Sequence, residues 1–480
     1  MDFSRRCSDL VISHPQIPGA TVDYLHTNLV HNASAYVSEI EYINHGPINV
    51  TDVSFCPVNV DVWLPTNTCH GRLMGLGGGG FDCGLYPENM MAMLGAVGEG
   101  YAAVSTDCGH TMEQDLSEWL LEFIGKSVAK SLYGVEPGYS YFSGCSQGGR
   151  QGMMLAQRYP TAYDGIVASS PAIYWAEILA SGFWTQLVMN ELVSYPESCE
   201  LDYLTEMAIR ACDDLDGVVD GIVTEIDSCK FDAFDLVGMH FPCGNQTMML
   251  SGSAAIVASA AWQGPFSRGG DSLWHGVDVV SNLTSILSCQ CSSGGRCTGL
   301  PVKFSSDWIR LAVKKNPDFD LDSITHDEIL LIFGASVQEC TSIIGTNDLD
   351  LSEFRNRGRK MLSFHGLADP MVPSQGTRRY YEAVEKRDPR VRDYYRHFEA
   401  PGLGHCWSPS GLYPFTIFND MVAWVERGSV PKYLLASFTG ENGTEHEGIL
   451  CPYPERAVYN GMKTRCQGAA TSAPQGRSTG

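Results

Sequence analysis

The segment Gly144-Cys-Ser146-Gln-Gly148 places a serine between two glycines, directly after the apolar run Tyr139-Ser-Tyr-Phe142. Directly behind it the helical pattern RQGMMLAQRYP runs until Pro160 stops it. A strand that turns this abruptly into a helix holds the serine hydroxyl out on a strained turn, and glycines are needed where side chains would collide. Such a turn requires a sheet in front of it and a packed helix behind it. The tail segment Gly476-Arg-Ser478-Thr-Gly480 has the same spacing, but neither a strand nor a helix adjoins it. Context therefore selects Ser146.

The surrounding pattern predicts that sheet. VDYLHTNLV, AYVSEIEYI and VNVDVWL, within residues 20–64, alternate apolar and polar residues and read as antiparallel strands. RLMGL is a further strand, followed by the run Gly77-Gly78-Gly79-Gly80, a helical patch from Met90 to Val97 and a strand from Ala102 to Ser105. Ile166–Ala168, Lys360–His365 and Tyr394–Phe398 read as later strands, with helices at Gln375–Val384 and Pro414–Glu426. Strands separated by helices imply an α/β fold with a doubly wound, mostly parallel sheet. Between about Pro171 and Leu351 the rhythm lapses into a loop-rich, cysteine-rich stretch with isolated helical patches. The expected division is therefore a catalytic domain at 1–170 and 352–467, an inserted domain at 171–351 and a disordered tail at 468–480.

Charge and cysteines bound the partners and the compartment. The 480 residues carry 55 acidic and 32 basic side chains, a net charge of −23. With no basic stripe, nucleic acid is excluded as a partner. The most apolar stretch, Gly165–Trp184, is interrupted by Pro171 and Glu177, so no membrane span is expected. Seventeen cysteines lack the short repeated spacings of zinc sites. Together with five N-x-[ST] sites at Asn32, Asn49, Asn245, Asn282 and Asn442, they point to a secreted, disulfide-bonded glycoprotein. The opening MDFSRRCSDL has no apolar signal region, so a trimmed signal peptide is expected.

A serine hydroxyl needs a base, and the base needs an orienting acid, in the chain order Ser, Asp or Glu, His. Asp369 lies where the strand KMLSFH meets the turn GLADPMVP, although a plain turn aspartate would look the same. Downstream lie His397, inside a strand and read as structural, His446, and His405 in the glycine-flanked loop Gly402-Leu-Gly-His-Cys406. His405 is the preferred base. Cys145 precedes the serine and Cys406 follows that histidine. If Ser146 and His405 are hydrogen-bonded, the two cysteines fall within disulfide range. Closing so long a loop is worth roughly 4–5 kcal/mol in the chain-entropy model.

GCSQGG, HGLADPMVP and GLGHC together resemble the tannase and feruloyl esterase family of α/β-hydrolases, which pairs Cys-Ser with Asp and His-Cys. GGGGF at 77–81, STDCGH at 105–110, YDGIVASSPA at 163–172 and DLSEFRNRGRKML at 350–362 extend the likeness over about residues 7 to 466. The resemblance implies Ser146, Asp369 and His405 as triad, a Cys145–Cys406 bridge, and a lid domain in the insertion. It also implies an acyl-enzyme esterase of aromatic acids, either gallic or hydroxycinnamic, whose substrates can be attached to sugar. Cys83 and Cys108 depart from the family pattern. For this fold the oxyanion donors expected are the Gln147 N–H and one from the glycine run, Gly79 or Gly80.

In the insertion, Cys212-Asp213-Asp-Leu-Asp216-Gly-Val218-Val-Asp220-Gly-Ile222 spaces acids and glycines as a loop around a hard cation would, and also as a plain acidic turn would. The family likeness implies structural Ca2+ held by the side chains of Asp213, Asp216 and Asp220 and the carbonyls of Val218 and Ile222, with Cys212 and Cys229 bridged around it. No organic cofactor is expected. Trp175, Trp184, Trp262, Trp274 and Trp308 divide between an aromatic acyl pocket and the insertion's own core. Two rival readings are an intracellular esterase of another small aromatic ester or secondary metabolite, and a non-catalytic binding glycoprotein on a hydrolase fold.

Overall fold

A computed structural model describes residue 7 and residues 27–468, apart from 59–61, 67, 82–85, 106–117, 292–296, 441–442 and 460–463. The segments holding Cys83 and Cys108, the sequon at Asn442, part of VDYLHTNLV, and the tail beyond 468 lie outside the described residues.

The chain opens with β1 (Val30–Val37), β2 (Ile48–Val58) and β3 (Val62–Pro65), followed by β4 (Arg72–Leu76), α1 (Pro87–Gly98), β5 (Ala102–Val104), α2 (Glu118–Tyr133), β6 (Tyr139–Cys145), α3 (Gln147–Arg158) and β7 (Gly165–Ser169). The insertion contributes α4 (Trp175–Ser181), α5 (Trp184–Leu192), α6 (Ser198–Cys212), the hairpin β8–β9 (His240–Cys243, Gln246–Met249), α7 (Gly252–Gln263), the hairpin β10–β11 (Ser288–Cys291, Cys297–Leu300), α8 (Lys303–Asp307) and α9 (His326–Ile344). Then come α10 (Ser352–Asn356), β12 (Lys360–Gly366), α11 (Ser374–Arg387), β13 (Tyr395–Ala400) and α12 (Ile417–Arg427).

Nine strands form one sheet in the order β1-β2-β3-β5-β4-β6-β7-β12-β13. From β5 to β13 all neighbours are parallel, whereas β1, β2 and β3 extend the sheet antiparallel. The chain runs from β4 out to β5, then crosses back to β6 on the other side of β4. That reversal opens a crevice at the carboxyl ends of β4 and β6, where open α/β sheets bind their ligands. Alternating strand residues fill the two faces. Leu73, Phe142 and Ile166 join the cluster containing Met153 and Tyr380, while Met74, Tyr141 and Val167 join the one containing Met93 and Phe418. Both faces are therefore covered, as a parallel sheet requires.

Two expectations need correction. AYVSEIEYI does not continue as a strand past Val37. Ser38 donates through its N–H (2.9 Å) and its hydroxyl (2.8 Å) to the Glu41 carboxylate, and Tyr42 N–H bonds Ser38 O at 2.8 Å. This side-chain-to-backbone turn outcompetes the ladder. The insertion is also more helical than its loop-rich sequence suggests. α7 is built from the alanine-rich run GSAAIVASAAWQ, whose small residues show no single apolar stripe to read.

The insertion leaves and rejoins the core at one point. Ile173 O accepts from the Thr346 N–H at 3.2 Å and the Thr346 hydroxyl at 3.1 Å. Within it, Met189, Leu204 and Ala258 belong to one buried cluster and Phe183, Trp184 and Ile309 to another, whereas Trp175, Trp274 and Trp308 pack into the main core. No described helix is long and apolar enough to cross a membrane.

Candidate active site

Ser146 sits between β6 and α3 with φ +62° and ψ −117°. A non-glycine residue at positive φ is strained, and here the surroundings enforce it. Ser146 N–H bonds Ser169 O at 3.0 Å, and Arg150 N–H closes the first helical turn on Ser146 O at 2.9 Å. The two flanking glycines are sterically required. A Cβ on Gly144 would lie 2.6 Å from the Gly148 carbonyl group, and one on Gly148 would lie 2.8 Å from Gly78 O.

The three residues singled out in the sequence meet. Ser146 Oγ lies 2.9 Å from His405 Nε2, and His405 Nδ1 lies 2.7 Å from Asp369 Oδ2. The other Asp369 oxygen accepts the N–H groups of Met371 and Val372 at 2.8 and 2.9 Å. Burial alone would push the Asp369 carboxyl up, but the charges and hydrogen bonds of His405 and His365 prevail and hold it well below the usual carboxylate range. Burial likewise lowers His405, yet the Asp369 charge and hydrogen bond win and raise it above an ordinary imidazole. The arrangement can move a proton from a hydroxyl to an imidazole and stabilise the imidazolium formed. His397 is fully buried beside Ser363, 3.0 Å from its hydroxyl, and takes no part.

Cys145 and Cys406 are joined, with Cα atoms 5.9 Å apart. Cys406 itself has φ +63°, so the bridge links two strained turns. Cys212 and Cys229 are also bridged, as are Cys7–Cys56, Cys199–Cys243 and Cys451–Cys466. Among the described residues Cys69, Cys289 and Cys340 are free thiols.

Ser146 opens into a cavity of 410 Å³. Gly79 and Gly80 form one wall, and Trp175, Trp184, Trp274 and Phe304 stand around it. Trp262 and Trp308 are not among its described lining. Trp262 lies edge-on to Phe231, and the Trp308 indole donates to Ser336 Oγ at 2.8 Å. Glu41 and Glu88 are the only Asp, Glu, Lys or Arg side chains among the described lining residues, so the cavity suits an aromatic group with few charges. In the glycine run, the N–H of Gly77 bonds Ser143 O at 3.0 Å and that of Gly78 bonds Gln151 Oε1 at 2.9 Å. Two of the four glycine donors are thus committed to structure. Gln147, directly after Ser146, is the first residue of α3.

The acidic loop folds around its own backbone. Asp213 accepts from Gly221 N–H at 3.0 Å, Asp216 from Val218 N–H at 2.9 Å, and Asp220 from Ile222 N–H at 3.0 Å. Asp220 is pushed up by burial and further by the charges of Asp213 and Asp216. These are the hard oxygen donors a cation of this kind takes, but as placed the three carboxylates are turned onto backbone N–H groups and their oxygens do not converge on one point. The tight group Glu197, Cys199 and Cys243 is not a cation site, because its sulfurs are spent in a disulfide.

Three residues with evident roles went unread in the sequence. Asn44, fully buried at φ +76°, donates to Ser143 Oγ at 2.9 Å and accepts from the Ser169 hydroxyl, bracing both strands beneath the elbow. Asp278 accepts from the Ser374 hydroxyl at 2.8 Å and from Gln375, anchoring the start of α11 to the insertion. His365 contacts Asp369 and shares its motif. Only the last, four residues from the acid, leaves a local signal.

A family model for tannase and feruloyl esterase matches residues 43–473. A probable feruloyl esterase of Arthroderma benhamiae is 36% identical, with 86% of this chain and 83% of the relative covered. A probable feruloyl esterase B of Aspergillus clavatus is 27% identical over 84% and 81%. The solved tannin acyl hydrolase from Aspergillus niger superposes with a TM-score of 0.82 at 26% identity, covering 93% of this chain and 90% of that one. With the match spanning most of its length and the elbow, acid and histidine in hydrogen-bonded order, the chain belongs to the tannase and feruloyl esterase family of α/β-hydrolases.

Proposed function

We propose that the protein is a secreted serine esterase that cleaves esters of aromatic acids, hydroxycinnamic or gallic, through an acyl-enzyme. One observation carries the reading: the Ser146–His405–Asp369 chain of hydrogen bonds ends at a largely uncharged cavity walled by tryptophans. His405 Nε2 takes the Ser146 proton as Oγ bonds the ester carbonyl carbon, then returns it to the departing alkoxide. Water, deprotonated by the same nitrogen, releases the acid and restores the serine. The N–H groups of Gln147 and of Gly79 or Gly80 are the donors proposed for the oxyanion. Residues 171–351 serve as a lid that supplies the tryptophan walls and so sets the acid accepted.

The test is kcat/KM on methyl ferulate and methyl gallate side by side, with Ser146→Ala as blank. Preference for ferulate is expected, since the relatives above are named as probable feruloyl esterases. Turnover of neither by a folded protein overturns the reading. A general base must be neutral to act, and the pKa of His405 is raised. Activity should therefore fall on the acid side with a midpoint above the ordinary 6.5. A pH profile of kcat/KM with a midpoint below that value would contradict the assignment.

Ca2+ is proposed at Asp213, Asp216 and Asp220, with the carbonyls of Val218 and Ile222 completing the set. Its chemistry there is cross-linking and charge neutralisation, far in role from the reacting ester. Chelation should lower the melting temperature by several degrees, because a cation at 100 times its Kd adds about 2.7 kcal/mol. Added Ca2+ should restore it, with kcat/KM at 25 °C changing less than about twofold. The sequon residues Asn32, Asn49, Asn245 and Asn282 are all exposed. Glycosidase treatment of the native protein should therefore reduce its mass, and an unmodified chain would favour the intracellular esterase.

A further inference from the structure

Asp369 is gripped by two histidines. His365, on β12 and fully buried, sets Nε2 3.2 Å from Asp369 Oδ2 and 2.9 Å from Val372 O, and Nδ1 2.8 Å from Thr377 Oγ1. A carbonyl can only accept, so Nε2 carries the hydrogen, shared between Val372 O and the carboxylate. The lone pair left on Nδ1 takes the Thr377 hydroxyl hydrogen. The His365 ring is thereby locked in one tautomer, with its N–H aimed at the same oxygen that His405 Nδ1 approaches at 2.7 Å. Asp369 Oδ1 is pinned separately by Met371 and Val372. Both carboxylate oxygens then have fixed partners, and the group cannot rotate about its χ2 bond without breaking several of them.

We propose that His365, oriented by Thr377, is a positioning residue for the triad, holding the Asp369 carboxylate in the plane and charge state that align His405 with Ser146. The proposal rests on the esterase reading above. Its physical content is twofold. Loss of the His365 N–H frees the carboxylate to rotate, which misplaces the His405 ring. It also leaves the carboxylate more negative toward His405, so the imidazolium is held more tightly. The neighbouring charged and titratable groups are His397 on β13, which burial keeps neutral, and Arg378 on α11, which is paired with Asp227 and Glu399. Neither replaces the lost donor.

The test uses the full chain and para-nitrophenyl acetate, with a covalent serine titrant counting competent sites. Per competent site, His365→Phe should lower kcat by about 10- to 100-fold with KM changed less than about threefold, the loss expected from a small misplacement. The acid limb of its pH profile should move to higher pH. In His365→Gln the terminal amide N–H can occupy the Nε2 place, so kcat should recover to within about fivefold of wild type and the limb should return. An unchanged kcat and acid limb in folded His365→Phe, or equal impairment of the Phe and Gln variants, overturns the proposal. If His365→Phe does not fold, Thr377→Val carries the test. A kcat loss of about fivefold with the same direction of limb shift upholds it, and no change overturns it. Turnover surviving in Ser146→Ala would instead sink the esterase reading.

Discussion

Ser146→Ala should lower kcat on a methyl ester by about a million-fold while leaving KM within about threefold, the pattern seen when a nucleophile is deleted from a serine hydrolase. The hydroxyl supplies the oxygen that bonds the acyl carbon and the proton that His405 takes in the first step. Without it the base and its acid have nothing to act on. The residual rate, about a thousand-fold above water, would come from the oxyanion donors and the cavity. The sharper form of the prediction is non-additivity. Ser146→Ala combined with His405→Ala should be no slower than either alone, because the 2.9 Å hydrogen bond between them makes one machine of two residues. Single-turnover rates of the three variants decide the matter. A double variant that loses a further hundred-fold would show that the residues act independently.

Breaking the Cys145–Cys406 bridge, as Cys145→Ser with Cys406→Ser, should cost both stability and rate. The loop it closes spans 261 residues, so the chain-entropy model allows about 4–5 kcal/mol. The rate effect has a different origin. Ser146 and Cys406 both sit at positive φ, at +62° and +63°, and each is one residue from the bond or part of it. Releasing the bridge lets the Cys406 turn relax toward an ordinary conformation and draws His405 away from Ser146, whose own turn stays held by its backbone hydrogen bonds. A kcat loss of about 10- to 100-fold, with KM little changed, is expected from that misplacement. The control is Cys451–Cys466, with a separation of 15 residues and neither cysteine next to a triad residue in the chain. Its removal should cost about 3 kcal/mol and leave kcat alone. Chemical denaturation and steady-state kinetics on both pairs separate the two effects. Equal kcat for both double variants would assign the Cys145–Cys406 bridge to stability only.

What could be read in advance was whatever is local in the chain. The elbow, the acid turn and the histidine loop each fit within a few residues, and the order of the three picks out a fold. The adjacency of Cys145 to Ser146 and of Cys406 to His405 made a long-range contact legible, because two short motifs each carried a cysteine. Asn44 had no such flag. Its partners lie 99 and 125 residues away, and nothing around it differs from an ordinary turn. The strand assigned across Ser38–Ile43 failed because alternation of apolar residues says nothing about a serine and a glutamate bonding across a turn. Trp175, Trp184 and Trp274 line the cavity while also packing into buried clusters, and Trp262 and Trp308 are not among its described lining, a partition set by tertiary packing and hence invisible to composition.

The carbonyl of Ile173, where the insertion's two ends meet on Thr346, has a consequence for how this enzyme could be diversified. A segment whose entry and exit are stitched together behaves like a cassette. Its interior can lengthen, shorten or be exchanged while the spacing between β7 and β12, and with it the reacting geometry, stays put. Transplanting residues 174–345 from a relative of different selectivity should therefore carry the acid preference with it. The graft must bring its own counterparts of Trp175, Trp274 and Trp308, the side chains that plug the cassette into the host core.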